Sequence, residues 1–202
     1  MKRFAYALLA CLFLALPCDA AAVIVLDDRV PNRADVTQDE AGNKSYHGYC
    51  AWACIETLGR HNRVDKLRGL VEWRQKSWPV QVTLRDVDGR FHTIRRNYGS
   101  DLAVQRCLEY LEVSFRQQAT GTTDTLIVRR AVLDGSGVAV GMLPGAFEGM
   151  AADEGHAVIV LNFSRDFVTI LDPNRVGVDK TFTRKWFDTY WMGWAVTIRP
   201  AK

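Results

Sequence analysis

Three residues of this chain have the types and settings for covalent chemistry: Cys50, His156 and Asp172. A thiolate attacks carbonyl carbons, an imidazole moves protons, and a carboxylate can hold an imidazole in one tautomer. Cys50 opens the run Cys50-Ala51-Trp52-Ala53-Cys54-Ile55-Glu56, which has helical spacing of its apolar residues. A helix N-terminus points free N–H groups and a positive dipole end at a sulfur placed there, which favours its anion. His156 opens the apolar run His156-Ala157-Val158-Ile159-Val160-Leu161, a predicted strand, and Gly155 before it leaves room for close approach. Asp172 closes the next predicted strand, Val168-Thr169-Ile170-Leu171. Residues at one end of a β-hairpin are neighbours, so Asp172 can orient His156. Each residue also has a plainer role. Cys50 can be a buried structural thiol or a disulfide partner of Cys107, His156 a satisfied core histidine, and Asp172-Pro173-Asn174 a common turn. The three together, in this order and on these elements, favour a Cys-His-Asp set.

The elements that must position these residues can be read in chain order. Val23 to Leu26 reads as an edge strand, and Asp27 to Tyr49 as a polar surface lead-in. Cys50 to Arg60 is a predicted helix that Gly59 ends, and Val64 to Gln75 is a second. Val80 to Leu84 and Phe91 to Ile94 alternate around an Asp88-Gly89 turn and predict a hairpin. Ser100-Asp101 caps a long helix to about Gln118, and Thr123-Asp124 caps another to Leu133. From Val138 the chain is β-rich: Val138 to Leu143, His156 to Phe163, Phe167 to Leu171, Val178 to Phe182 and Gly193 to Ile198, with a short helix Arg184 to Tyr190 capped by Thr183. Helices first and antiparallel strands second is an α+β layout. The loop Pro144 to Glu154 lies just before His156 and forms a wall of any cleft there.

Bulk properties narrow the classes further. The chain has 202 residues, 48% hydrophobic and 24% charged, enough for one globular core. A net charge of +3 is too small to argue for nucleic acid. Met1-Lys2-Arg3, the apolar run Phe4 to Pro17 and the small residues Cys18 to Ala22 read as a signal peptide, residues 1–22, with no membrane span. Residues 23–202 then form a single domain, periplasmic or extracellular. Cys50, Cys54 and Cys107 are its cysteines; Cys54 and Cys107 can pair or pack, leaving Cys50 free. Cys50-x3-Cys54 lacks a second matching ligand pair, so no metal is expected. Oligomeric state is not readable.

The run Tyr49 to Glu56 resembles the nucleophile helix of papain-like cysteine peptidases, most of all the branch that processes double-glycine leaders of bacteriocins. Gly155 to Val160 and Val168 to Pro173 resemble that branch's histidine and aspartate strands, and Phe182 to Val196 its closing helix and final strand. The resemblance implies a papain-like fold and hydrolysis of peptide or related amide bonds, with Cys50, His156 and Asp172 as the triad, a peptide or protein substrate and no cofactor. It also exposes a departure. The family carries a glutamine about half a dozen residues before its cysteine, as an oxyanion donor; here Lys44 stands there, with Asn43 beside it and Gln38 further off. Losing one such donor costs about 100- to 1,000-fold in rate. Asn43 is therefore the candidate replacement. Acyl transfer on the same fold, and a catalytically silent peptide-binding module, stay open as alternatives. Tyr46 and Tyr49 flank the thiol and are candidate peptide contacts, His47 a candidate cleft residue, and Trp52 and Trp194 read as core.

Overall fold

The computed structural model describes residues 24–26, 28–31, 34–38, 44–79, 81–148 and 155–201. Of residues 34–38 and 44–47 only the backbone is described. Residues 1–22, Asn43 and residues 149–154 therefore lie outside the described residues.

Ile24–Leu26 is a lead-in rather than a strand, with Ile24 and Leu26 buried and Val25 exposed, tied to the sheet by the Ile24 N–H donating to the Leu161 carbonyl at 3.0 Å. The polar segment after it holds a hairpin that its sequence hides: β1 (Ala34–Gln38) pairs antiparallel with β2 (Lys44–Gly48). Helix α1 (Cys50–His61) follows at once. Its residues Ala51 to Gly59 are all buried, so it is a central helix and not a surface one. Gly59 lies inside α1 instead of ending it. A side chain there would collide with Leu67, whose Cβ lies 2.5 Å from where a Cβ at 59 would sit. The expected second helix is split: a 3₁₀ turn at Asp65–Leu67, then Gly69 at φ 74°, then α2 (Leu70–Ser77). Gly69 takes a left-handed conformation that L side chains resist. The buried Glu56 carboxylate accepts from the Gly69 and Val71 N–H groups at 2.8 and 3.0 Å and from Arg60, so α1 caps α2.

The Asp-Gly hairpin forms as β3 (Gln81–Arg85) and β4 (Phe91–Arg95). Helix α3 (Asp101–Tyr110) has its Ser100 cap, but it stops well short of Gln118. Glu112 at φ 52° turns the chain, and Phe115–Gln118 is β5, a sheet edge. Helix α4 (Leu126–Leu133) begins slightly later than expected, with Thr125 just before it. The remaining elements are β6 (Val138–Met142), β7 (His156–Phe163), β8 (Phe167–Leu171), β9 (Asp179–Thr183), α5 (Arg184–Tyr190) and β10 (Trp191–Ile198).

One six-stranded antiparallel sheet runs in the order β5-β10-β6-β7-β8-β9. The closing strand inserts between β5 and β6, which ties the end of the chain to its middle. β6 is buried throughout and β7 over its first six residues, as their unbroken apolar runs require. Helix α1 packs on β6, β7 and β10. The architecture is α+β. Among the described residues no helix is long and apolar enough to cross a membrane.

Candidate active site

Two elements bring the reactive groups together. Cys50 is the first residue of α1, preceded by Tyr49 with no side-chain cap on the helix start. One N–H group at this start, that of Ala51, is hydrogen-bonded to the sulfur. Three features fix where that helix starts. The Trp52 indole N–H donates to the Asn97 carbonyl at 3.0 Å. Gly99 abuts Ala51, so closely that a Cβ on Gly99 would fall 2.2 Å from the Ala51 Cβ. The Arg74 guanidinium lies 3.8 Å over Trp52 and 3.9 Å over Trp78, and its Nε and Nη2 donate to the Arg96 carbonyl.

On the sheet, His156 is the first residue of β7, opposite Met142 of β6. Gly155 is needed there, because a Cβ would press to 3.2 Å from the Met142 carbonyl oxygen. Leu171 pairs with Ile159, so Asp172 and His156 leave the same end of the β7–β8 pair. His156 Nε2 and Asp172 Oδ1 are 2.8 Å apart, both groups buried. The same Oδ1 accepts from the Asn174 N–H at 2.9 Å, which fixes the carboxylate from its own turn. With Nε2 engaged by Asp172, Nδ1 is the ring nitrogen left for the thiol.

The sulfur of Cys50 is hydrogen-bonded by the His156 ring and by the backbone N–H groups of Ala157, at 3.4 Å, and Ala51. Burial pushes the Cys50 thiol up, but the His156 hydrogen bond and charge and these two N–H groups outweigh it and leave the thiol below its ordinary value. Burial alone would lower His156, yet the Asp172 and Cys50 contacts raise it to about 9. Asp172 is held below the usual carboxylate range: burial opposes this, and the His156 hydrogen bond and charge decide it. The shifts all favour a thiolate–imidazolium pair steadied by a carboxylate. Cys54, one turn along α1, is fully buried, and burial drives its thiol well up.

The structure therefore brings Cys50, His156 and Asp172 into one cluster. Cys50, Cys54 and Cys107 are all free thiols, so neither the Cys50–Cys107 nor the Cys54–Cys107 disulfide is present. Tyr49, expected near the substrate, has no exposed surface and is core; Trp52 and Trp194 are core as expected. Asn43 and the side chains of Lys44, Tyr46 and His47 lie outside the described residues. Sequence reasoning missed the Ala157 N–H on the sulfur and the Gly99 contact at the helix start. It also missed Phe147, whose ring meets that of His156 edge-on at 5.6 Å. Phe147 does sit in the loop expected to wall the cleft.

No family model matches the chain, and no curated protein matches it. Among solved structures it is similar to a Bacillus anthracis protein described as a C39-like peptidase. The TM-score is 0.59 at 14% identity, over 91% of this chain and all of that one. At that identity the likeness is one of fold, and it agrees with the papain-like α+β layout of the elements above.

Proposed function

We propose that the chain is an exported cysteine hydrolase of papain-like fold, cleaving peptide or related amide bonds through a Cys50–His156–Asp172 triad. The single observation that carries this reading is the half-buried Cys50 sulfur held between the His156 ring and two backbone N–H groups, with Asp172 behind the ring. In the reaction the Cys50 thiolate attacks the carbonyl carbon and forms a C–S bond. The imidazolium of His156 gives its proton to the leaving nitrogen as the C–N bond breaks, and a thioester remains on Cys50. His156 then takes a proton from water, which attacks the thioester; the acid leaves and the thiolate–imidazolium pair is restored. Asp172 keeps Nδ1 of His156 turned to the sulfur throughout. The Cys50 backbone N–H, with the Asn43 amide in place of the missing glutamine, holds the oxyanion. The motifs around the triad support a place near the double-glycine-leader branch, and the basic, apolar N-terminus supports export to the periplasm or beyond.

Peptide-library digestion by the full chain and by Cys50→Ala tests this. The expected result is cleavage by the wild-type chain, none by the variant, and a thioester adduct on Cys50 with the mass of the substrate's acyl portion after rapid quenching. Equal cleavage by both, or alkylation of Cys50 no faster than that of a free thiol peptide, overturns it.

A further inference from the structure

Beside His156 stands a group of four aromatic rings from three separate elements. Phe147 comes from the loop after β6, Phe182 from β9, and Trp186 and Tyr190 from one face of α5. Phe182 and Trp186 stack at 3.8 Å with planes 14° apart. Phe147 stands edge-on to both, at 6.0 and 5.5 Å, and Tyr190 lies 5.7 Å from Trp186. Phe147 is the ring that touches His156. None of the four is closed into the core. Phe187, next along α5, shows the contrast: it has no exposed surface and packs inward on Phe163 and Trp191. Helix α5 thus spends Phe187 on the core and keeps Trp186 and Tyr190, one turn apart, at the surface with Phe147 and Phe182. Half-covered aromatic rings keep apolar area that a ligand can cover.

We infer that this wall receives the side chain of the residue on the leaving-group side of the scissile bond, and that it selects a large apolar or aromatic residue there. This rests on the hydrolase reading above. The argument is one of reach. The leaving nitrogen must come within about 3 Å of a His156 ring nitrogen to receive its proton. Its side chain branches from the next carbon, and Phe147 begins the aromatic wall 5.6 Å from the centre of that same ring. An acidic side chain placed there gives up water for ring surface, whose negative faces disfavour its charge. An aromatic one gains edge-to-face contacts and buries area against Phe147 and Trp186. The selection acts on the acylation step, where the leaving residue is still attached, and not on deacylation.

The test is cleavage of a peptide set varied only at the first leaving-side residue, by the full chain and by Trp186→Ala and Phe147→Ala, with Cys50 alkylation followed in each. The wild-type chain is expected to cut before Phe or Leu about tenfold or more faster than before Asp or Ser, as kcat/KM. Each variant is expected to shrink that ratio to about threefold or less while Cys50 keeps its fast alkylation, which reports an intact thiol–imidazole pair. Two variants on separate elements keep the test sound if one misfolds. A flat wild-type profile, an unchanged ratio in the variants, or no cleavage of any apolar peptide despite fast Cys50 alkylation overturns the inference alone. Slow Cys50 alkylation in the wild-type chain overturns the hydrolase reading and this inference with it.

Discussion

Two regions of the molecule set a cysteine beside a cation, and they come out opposite. At the head of α1, Cys50 lies beside His156 and its thiol is lowered. In the core, Cys107 lies beside the Arg74 guanidinium and its thiol is raised, because burial outweighs the Arg74 charge and hydrogen bond. The difference lies in what else each group has to do. Arg74 spends Nε and Nη2 on the Arg96 carbonyl and its faces on Trp52 and Trp78, so it is a packing piece. His156 has a carboxylate behind it and turns its free nitrogen to the sulfur. Cys50 also receives two backbone N–H groups, which Cys107 lacks among its favourable contacts. A neighbouring positive charge is therefore not enough to make a reactive thiol. Directed donors decide.

The comparison can be broken or sharpened by substitution, in order of effect. Cys50→Ala removes the nucleophile and is expected to lower kcat by about 10,000-fold or more, whereas Cys107→Ala leaves the chemistry in place. Steady-state peptide cleavage checks both. Asp172→Ala frees the His156 ring, with a loss of about 100- to 10,000-fold in kcat. It should also bring the His156 value down from about 9, visible in an NMR titration of the imidazole. The same pair carries a stability signature. His156 is raised in the folded chain above an unfolded value of about 6.5, so its contribution is full below that pH and fades as pH rises through about 9. The lowered Cys50 thiol offsets this contribution in the wild-type chain, so urea melts from pH 6 to 10 should show the decline in Cys50→Ala and a weaker one when Asp172→Ala is added to it.

Smaller effects test the loop that joins the two regions. Gly99→Ala sets a methyl against Ala51 beside the nucleophile, and is expected to cost about 1–3 kcal/mol of stability and to slow Cys50 alkylation at neutral pH. Arg74→Met keeps the length between the two indoles but removes the Nε and Nη2 donors from the Arg96 carbonyl. Urea melting should give a loss of about 1–2 kcal/mol, and Cys107 should stay unreactive because burial, not Arg74, governs it.

Much of this was legible in residue pattern. The β7 and β8 runs, the Asp-Gly hairpin and the Ser100 and Thr183 caps are local signals, and each formed close to its expected bounds. The cluster of Cys50, His156 and Asp172 was legible because each sits at an element end. The misses share one cause, a partner distant in sequence. Phe115–Gln118 looks like the tail of α3 but is claimed by β10. Gly59 looks like a stop signal but makes room for Leu67. Tyr49 looks exposed beside polar residues but closes into the core. Phe147 carries no local mark of its place against His156, since that contact depends on how the loop after β6 folds back over the sheet end.

The central claim is that Cys50 alone is an activated thiol. The direct measurement is the rate of iodoacetamide alkylation of Cys50, Cys54 and Cys107 in the native chain from pH 4 to 10, resolved by peptide mass. The account predicts Cys50 modified rapidly below the free-thiol range, with a further change as His156 loses its proton near pH 9, while Cys54 and Cys107 stay protected. A Cys50 profile that rises only near pH 8.5, as for an unperturbed thiol, would contradict it.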